Sequence, residues 1–592
     1  MPDYRFTVTL VLRAPIISQA AGGRKIGVDA AALCVEEHPA LPGSLIRGNL
    51  RHAWERFDKS VPGRKVVPSE DKIRNWLGHE SKDDSNDEPW RARLQFAAYW
   101  KALAGRSEGT RHRITLNPKT STVENRHLQI IESPFATGVE VAYRGYIDAS
   151  CEDEAEVDQL ERWIRKGLEF TPALGAFKGA GFGRIISVNV ERASRPSLLV
   201  GTVPPDKPRF GIRLMLDRPF CFAKHHTPDS NRYESEAFIP GGAILGAMAR
   251  RLFPHGNQIL RENFNAIRVT HAFPSGENGK RPVVLPLSLV FNPDQDGKIY
   301  DVARKDKPGL IHGRAGIFQI DWKGKHWGKA CVISGWPGLS RVIAVRTEIN
   351  KKTGTAYEGK LFATEAIVPE NRVWLADVDL SAIPEARRET VTAALRDFLA
   401  IGLDMLGKTK AVAQIEFMGE PTTPTAESRD LVVDGITIVT LQSAARLLPY
   451  SGGIPPTNGG KQLFDLYKAA WHELSDHTLD LQRFYAQQQL VGGQYLWRRF
   501  HQGAPSYNPE LLTVPGSVFV LKLAGDEKTA RCRLRAWLDH GLPLLSSDPY
   551  GEDWETNPYI RANGYGRVAI NLKVHWDHEP KEGEWDDELN GE

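Results

Sequence analysis

Two blocks of this sequence recur in the same order, and a chain that repeats itself folds as repeated units rather than as one large domain. The first block is an alternating strand, Tyr4 to Leu12, followed by Leu41-Pro42-Gly43-Ser44-Leu45-Ile46-Arg47-Gly48-Asn49-Leu50-Arg51. It returns as a strand near Phe210 to Leu216 and then Ile239-Pro240-Gly241-Gly242-Ala243-Ile244-Leu245-Gly246. Each copy reads as a Pro-Gly turn opening a helix with apolar residues at helical spacing, and Gly48 and Gly246 are expected to face a sheet. The second block, Lys119-Thr120-Ser121-Thr122-Val123-Glu124, leads to a strand from Val139 to Ile147. Its counterpart, Lys352-Thr353-Gly354-Thr355-Ala356-Tyr357-Glu358, leads to a strand from Arg372 to Leu380.

An amphipathic helix follows each second block, Glu154 to Phe170 and Pro384 to Leu403, and a turn rich in glycine or lysine precedes a last strand. Strand, helix, strand pair, helix, strand is the βαββαβ order. The expected class is therefore α+β, with tandem ferredoxin-like (RRM-like) domains carrying inserted loops and hairpins. At 592 residues, 41% hydrophobic and 25% charged, the chain is globular and too long for one domain. The expected boundaries are 1–200, a linker at 201–208 within the Pro-rich stretch Ser194 to Pro208, 209–425, 426–575, and an acidic disordered tail at 576–592. A helical run is expected from Gln462 to Leu490, followed by an aromatic and basic stretch, Tyr495-Leu496-Trp497-Arg498-Arg499, which suits base stacking or a plain helix-to-strand junction.

Three turns before final strands combine glycine with cations. Leu174 to Arg184 holds Lys178, Gly179, Gly181, Gly183 and Arg184; Leu406 to Lys410 holds Lys408 and Lys410; and Asn563 to Val568 holds Gly564, Gly566 and Arg567. Without Cβ atoms a backbone can approach a phosphodiester and aim N–H groups at its oxygens, although such loops taken singly also serve as tight turns. Arg111, Arg113 and Arg126, with Lys119, form a further basic cluster suited to phosphate. Net charge is only +3, but the segment from Asp577 to Glu592 carries eight acids against Lys581, which leaves about +10 on the rest. A second acidic run, Glu80 to Glu88, reads as a surface loop.

These motifs resemble the RAMP superfamily of CRISPR proteins. Pro42-Gly43-Ser44 and Gly179-Ala180-Gly181-Phe182-Gly183-Arg184 make the domain at 1–200 similar to the Cas-seven backbone subunit of type III complexes. The part from about 205 to 575 is similar to the large type III-D subunit of the Cas-five kind, through Ile239-Pro240-Gly241-Gly242, His271-Ala272-Phe273-Pro274-Ser275, Pro515-Gly516-Ser517 and Gly564-Tyr565-Gly566-Arg567. Gly242 stands where that pattern has serine, and Gly407 to Lys410 is poor in glycine, which puts RNA contact there in doubt.

The resemblance implies a guide-RNA-binding subunit of an antiviral ribonucleoprotein, with complementary target RNA and other effector subunits as partners. Ser44, Arg47 and Arg51 join the RNA-binding candidates. Gly27-Val28-Asp29 is similar to the segment holding the target-cleaving aspartate, which makes Asp29 the catalytic candidate, working with a divalent cation, most naturally Mg. A non-catalytic scaffold and a guide-maturing endoribonuclease stay open, the latter through His112 and His127. His225-His226 with Cys221 and Asp229 lacks the further ligands of a metal shell, and five scattered cysteines suggest neither zinc nor a disulfide framework. No signal-peptide pattern and no membrane span is read, so the expected place is the cytoplasm.

Overall fold

The computed structural model describes residues 3–19, 27–60, 67–79, 92–107, 109–115, 117, 119–124, 128–196, 207–224, 231–253, 256–276, 279–291, 298–306, 309–318, 327–349, 356–448, 459–492, 510–553 and 556–586. Expectations for the acidic run at 80–88, Arg126, His127, the 201–206 part of the linker, His225-His226 and the stretch at 495–499 lie outside the described residues.

Alternation along Asp3–Arg13 buries Phe6, Val8, Leu10 and Leu12 on one side, which places this strand at the centre of an antiparallel sheet. It pairs with Glu140–Ser150 on one edge and Arg184–Ser194 on the other. Leu94–Phe96 and Tyr99–Ala102 continue the sheet beyond Glu140–Ser150. Helices Gly43–Ser60 and Glu154–Glu169 cover its buried face. They approach closely because residue 167 is glycine: a Cβ there would lie 2.5 Å from Leu50 and from the Trp54 ring. Asp153 caps the second helix by accepting from Glu156 N at 2.8 Å.

Gly145 illustrates how little slack this core has, since a Cβ at that position would sit 2.3 Å from the fully buried Trp100 ring. Gly145→Ala is expected to cost about 1–3 kcal/mol through forced repacking. A lowered urea midpoint at an unchanged slope would show it.

The same connectivity appears twice more. In the middle unit the strand order is Arg268–Val269, Val373–Asp379, Arg209–Leu216, Ala411–Phe417, with Leu403–Leu406 at the edge and helices Gly241–Leu252 and Glu385–Leu399. In the C-terminal unit it is Leu479–Tyr485, Val518–Leu523, Ile436–Leu441, Val568–Ile570, with helices Gly459–Leu474 and Glu527–His540. All these neighbours are antiparallel, so the chain is α+β.

Three expectations are corrected. The helical run ends at Leu474, because Asp476 and His477 adopt left-handed backbone (φ 51° and 63°) and the alternating Leu479 and Leu481 then enter a strand. The glycines pressed against the sheet are Gly43 and Gly241, where a Cβ would lie 2.0 Å from Ala97 O and 2.2 Å from Val269 O, whereas Gly48 and Gly246 face open space. The tail is ordered through residue 586: Trp585–Asp586 pairs with Leu310–Ile311, Glu579 and Glu584 meet Arg304 and Lys298, and Trp576 packs under Arg304 and Arg429. Its acids are matched to cations of the insertion between the middle unit's second and third strands.

Buried charge joins the units. Arg195 makes a bidentate pair with Asp404 of the middle unit (2.8 and 2.7 Å) and reaches Asp148, which Arg5 also holds. Gln95 donates to Lys410 O at 3.0 Å, and Arg218 to Phe96 O at 2.8 Å. At the next junction Arg209 meets Asp539 and His540 meets Asp379, both at 2.8 Å.

Candidate nucleic-acid interface

The glycine loop of the N-terminal unit is a one-turn 3-10 helix, Lys178–Ala180, flanked by Phe177 and Gly181 in left-handed backbone (φ 57° and 83°). Gly183 is also left-handed (φ 67°), and a Cβ there would lie 1.9 Å from Leu174 O, so only glycine fits. Three backbone bonds tie the loop down: Gly183 N to Pro15 O, Ala176 N to Ile17 O, and Leu174 N to Gly183 O. What remains outward is Lys178, Gly179, Ala180, Gly181 and Arg184, all exposed. A Cβ at Gly179 would meet nothing within 4 Å among the described residues, so no packing among them demands glycine at that position.

Phe177 extends the site. Its ring packs edge-on against Phe182 at 5.6 Å, and the Arg113 guanidinium lies over it at 4.9 Å. Arg113 belongs to the hairpin Thr110–Arg113 with Gln129–Glu132, which also carries Arg111 and the exposed His112. Asp29 lies on the other side of the same hairpin. Its backbone N–H donates to Ile130 O (2.8 Å), and its Oδ2 accepts from Ile130 N (2.6 Å). Beneath them Ile17, Ala30, Ile131 and Phe182 form one buried apolar cluster. That cluster is why residues from four separate stretches of sequence converge, with Asp29, Arg111, Arg113, Lys178 and the glycine loop around it.

Buried Glu132 locks the arrangement, accepting from Ala32 N (2.9 Å) and from Arg106 (2.9 Å). Phe177 and Glu132 escaped the sequence reading as functional residues. An aromatic set between glycines and cations is a recognisable stacking signal, whereas nothing local marks Glu132 as a buried acceptor.

The remaining candidates divide. Ser44 is exposed at the start of its helix. Arg47 and Arg51 donate to Leu77 O, and Arg51 also to Gly78 O at 2.5 Å, so they cap the carboxyl end of helix Glu70–Leu77. Lys408 is exposed but lies over the Tyr233 ring of its own unit at 3.7 Å, and partial desolvation there lowers its pKa; Lys410 O accepts from Gln95. Gly564 packs on His271, where a Cβ would lie 2.6 Å from the backbone nitrogen. Arg567 donates to Asp539 O, and burial lowers its pKa too. The backbone at Lys410 and the loop at Gly564 are thus packed at junctions between units, while the Lys408 side chain stays exposed. His271 accepts from Gly241 N at 3.0 Å, and burial pushes its pKa down to about 3, so it stays a neutral acceptor that closes the middle unit's helix start.

No group of three or more His, Cys, Asp or Glu suited to a metal occurs among the described residues. Asp29 offers a single carboxylate, with Oδ2 already accepting one N–H. No helix among the described residues is long and apolar enough to cross a membrane.

Among the described residues the fold and the site define an α+β protein of antiparallel sheets and helices that presents an open, cationic glycine loop at Lys178–Gly181. A family model of the RAMP superfamily matches residues 22–186, within the N-terminal unit. Among solved structures, a chain of the type III-B Cmr-beta complex bound to cognate target RNA and AMPPnP is 11% identical, covering 52% of this chain and 86% of that chain at a TM-score of 0.28. No curated protein matches the sequence.

Proposed function

We propose that the chain is a guide-RNA-binding subunit of a type III CRISPR ribonucleoprotein, built from ferredoxin-like units at 1–200, 209–425 and 426–575. In this reading the N-terminal unit holds RNA by its backbone along Lys178, Arg184, Arg111 and Arg113, while base pairing by the guide supplies sequence specificity. One observation carries it: the exposed loop Lys178–Gly181, where a Cβ at residue 179 meets nothing among the described residues, is joined through Phe177 and Arg113 to the hairpin that holds Asp29. The RAMP match over residues 22–186 contains all of these residues.

Asp29 is the proposed catalytic residue for cleavage of target RNA. Its carboxylate would orient a ribose 2′-hydroxyl and take its proton as that oxygen attacks the adjacent phosphorus and the 5′-oxygen leaves. A Mg ion, which needs only one or two protein carboxylates beside phosphate and water, would be held by Asp29 and would supply charge neutralisation at the phosphate. The use of Oδ2 to hold Ile130 favours the rival reading, a non-catalytic scaffold in which Asp29 fixes the hairpin.

Phosphate contact has a measurable signature. Lys178→Ala and Arg113→Ala are each expected to weaken guide binding alike for all sequences, and to reduce the log–log salt slope by about 0.7, the single-strand value per neutralised phosphate. An unchanged slope in both variants removes the loop and hairpin from the RNA path.

A further inference from the structure

Buried polar groups in a folded chain nearly always have hydrogen-bond partners, so a place where neighbouring groups lack them asks for a partner from outside the chain. The junction between the middle and C-terminal units holds such a place. Its floor is Asp377, which alternates with the core residues Trp374, Ala376 and Val378 and so lies on the outward side of the middle sheet. Asp377 Oδ1 accepts from Thr422 N at 2.7 Å. Thr422 is 6% exposed, and its Oγ1 has no partner among the described residues.

Arg281 runs beside this segment, with its N–H donating to Thr423 O at 2.9 Å and its carbonyl accepting from Thr425 N at 2.7 Å. A guanidinium carries five donors. That of Arg281 makes no hydrogen bond or ion pair among the described residues, and its Nε is fully enclosed. Arg567 enters from the C-terminal unit, and of its guanidinium only Nη1 is engaged, on Asp539 O at 2.9 Å. Gln442 ties the two segments together, since its N–H donates to Arg567 O (2.7 Å) and its Oε1 accepts from Val284 N (2.9 Å).

The charges here do not balance. Arg209 is matched by Asp539 and His540 by Asp379, which leaves Arg281 and Arg567 to share Asp377. Two guanidiniums within electrostatic reach of each other, against one carboxylate, leave one positive charge in excess where water is largely excluded from Arg567. That arrangement is costly unless an anion meets it. Guanidinium forks match carboxylate and phosphate oxygens alike. Donors from three separate stretches, Arg281, Thr422 and Arg567, suit a tetrahedral anion better than a planar carboxylate, whose two oxygens lie in one plane.

We propose that this cleft binds a phosphate-type oxyanion through Arg281, Arg567 and the Thr422 hydroxyl, with Asp377 held aside on Thr422 N, and that the anion fastens the C-terminal unit to the middle one. This does not rest on the RNA reading, whose site lies in the N-terminal unit.

The test is thermal unfolding of the RNA-free full chain, with inorganic phosphate titrated against chloride at constant ionic strength. A saturable rise of the midpoint is expected. Arg281→Met is expected to abolish that rise and, in chloride alone, to unfold at or above the parent's midpoint, because an opposed buried charge has been replaced by an apolar chain. An arginine with a purely structural role would instead lower the midpoint in both buffers. Thr422→Val, which removes only the hydroxyl, is expected to weaken binding of labelled phosphate in equilibrium dialysis by about tenfold or more, the worth of a hydrogen bond to a charged group. Adding guide RNA separates the sources: displacement of the label identifies an RNA phosphate as the occupant, and retention identifies the free ion. A midpoint that does not saturate with phosphate, or an Arg281→Met response equal to the parent's, overturns the proposal. Should Arg281→Met not fold, unchanged phosphate binding in Thr422→Val overturns it.

Discussion

Asp29→Asn is expected to lower target-RNA cleavage by about 100-fold or more, the low end of what general acid–base groups contribute, while guide RNA stays bound. The substitution is informative because asparagine keeps a side-chain oxygen that accepts from Ile130 N, so the hairpin remains in place while the charge is removed. Asp29→Ala removes that bond as well and is expected to cost about 1 kcal/mol of stability besides. Labelled target and labelled precursor followed separately in the reconstituted complex give the readout. If asparagine cuts as fast as aspartate and only alanine is impaired, Asp29 is a structural clamp and the scaffold reading stands. Loss confined to precursor processing instead favours guide maturation, with His112 on the same hairpin as the next residue to replace.

The second large effect lies at the junction between the N-terminal and middle units. Arg195, with a side chain 4% exposed, sits between Asp148 (2%) and Asp404 (12%). Arg195→Ala leaves the largely buried Asp404 without its bidentate partner, which is expected to cost about 3–5 kcal/mol. Replacing the pair together, Arg195→Met with Asp404→Leu, is expected to recover much of this, and the double-mutant cycle in urea measures the coupling.

The acid dependence has a definite sign. Burial raises the pKa of Asp404, but the hydrogen bond and charge of Arg195, with Arg251 and Arg250, outweigh it and leave the group below its ordinary value. A depressed carboxylate contributes stability above its unfolded value near 3.9 and loses it as pH falls through the folded value. Unfolding on acidification is therefore expected below about pH 4, with a shallower pH dependence in Asp404→Asn. Burial pushes Asp148 upward despite Arg5 and Arg195, so the acid-sensitive share belongs to Asp404.

Local pattern was enough to locate the elements. The alternation of Phe6, Val8, Leu10 and Leu12, the helix spacing of Val157, Leu160, Ile164 and Leu168, and the Pro-Gly turns at Gly43 and Gly241 all lie within a few residues of one another. Asp476 and His477 misled the reading because their left-handed turn carries no glycine, the usual marker of that backbone. The acidic tail read as disordered because its partners, Lys298, Arg304 and Leu310–Ile311, lie more than 270 residues earlier.

By itself the amino-acid sequence determined the recurrence of the first two units, their order of strands and helices, and the three glycine-bearing turns, since each depends on neighbours close along the chain. Only the tertiary structure decided which turn is open. Lys410 and Gly564 have the same local chemistry as Lys178 and Gly179, yet the neighbouring unit packs on the first pair and leaves the second exposed. Burial is set by what packs against a loop, and the covering residues, Gln95 and His271, lie hundreds of residues away in the chain.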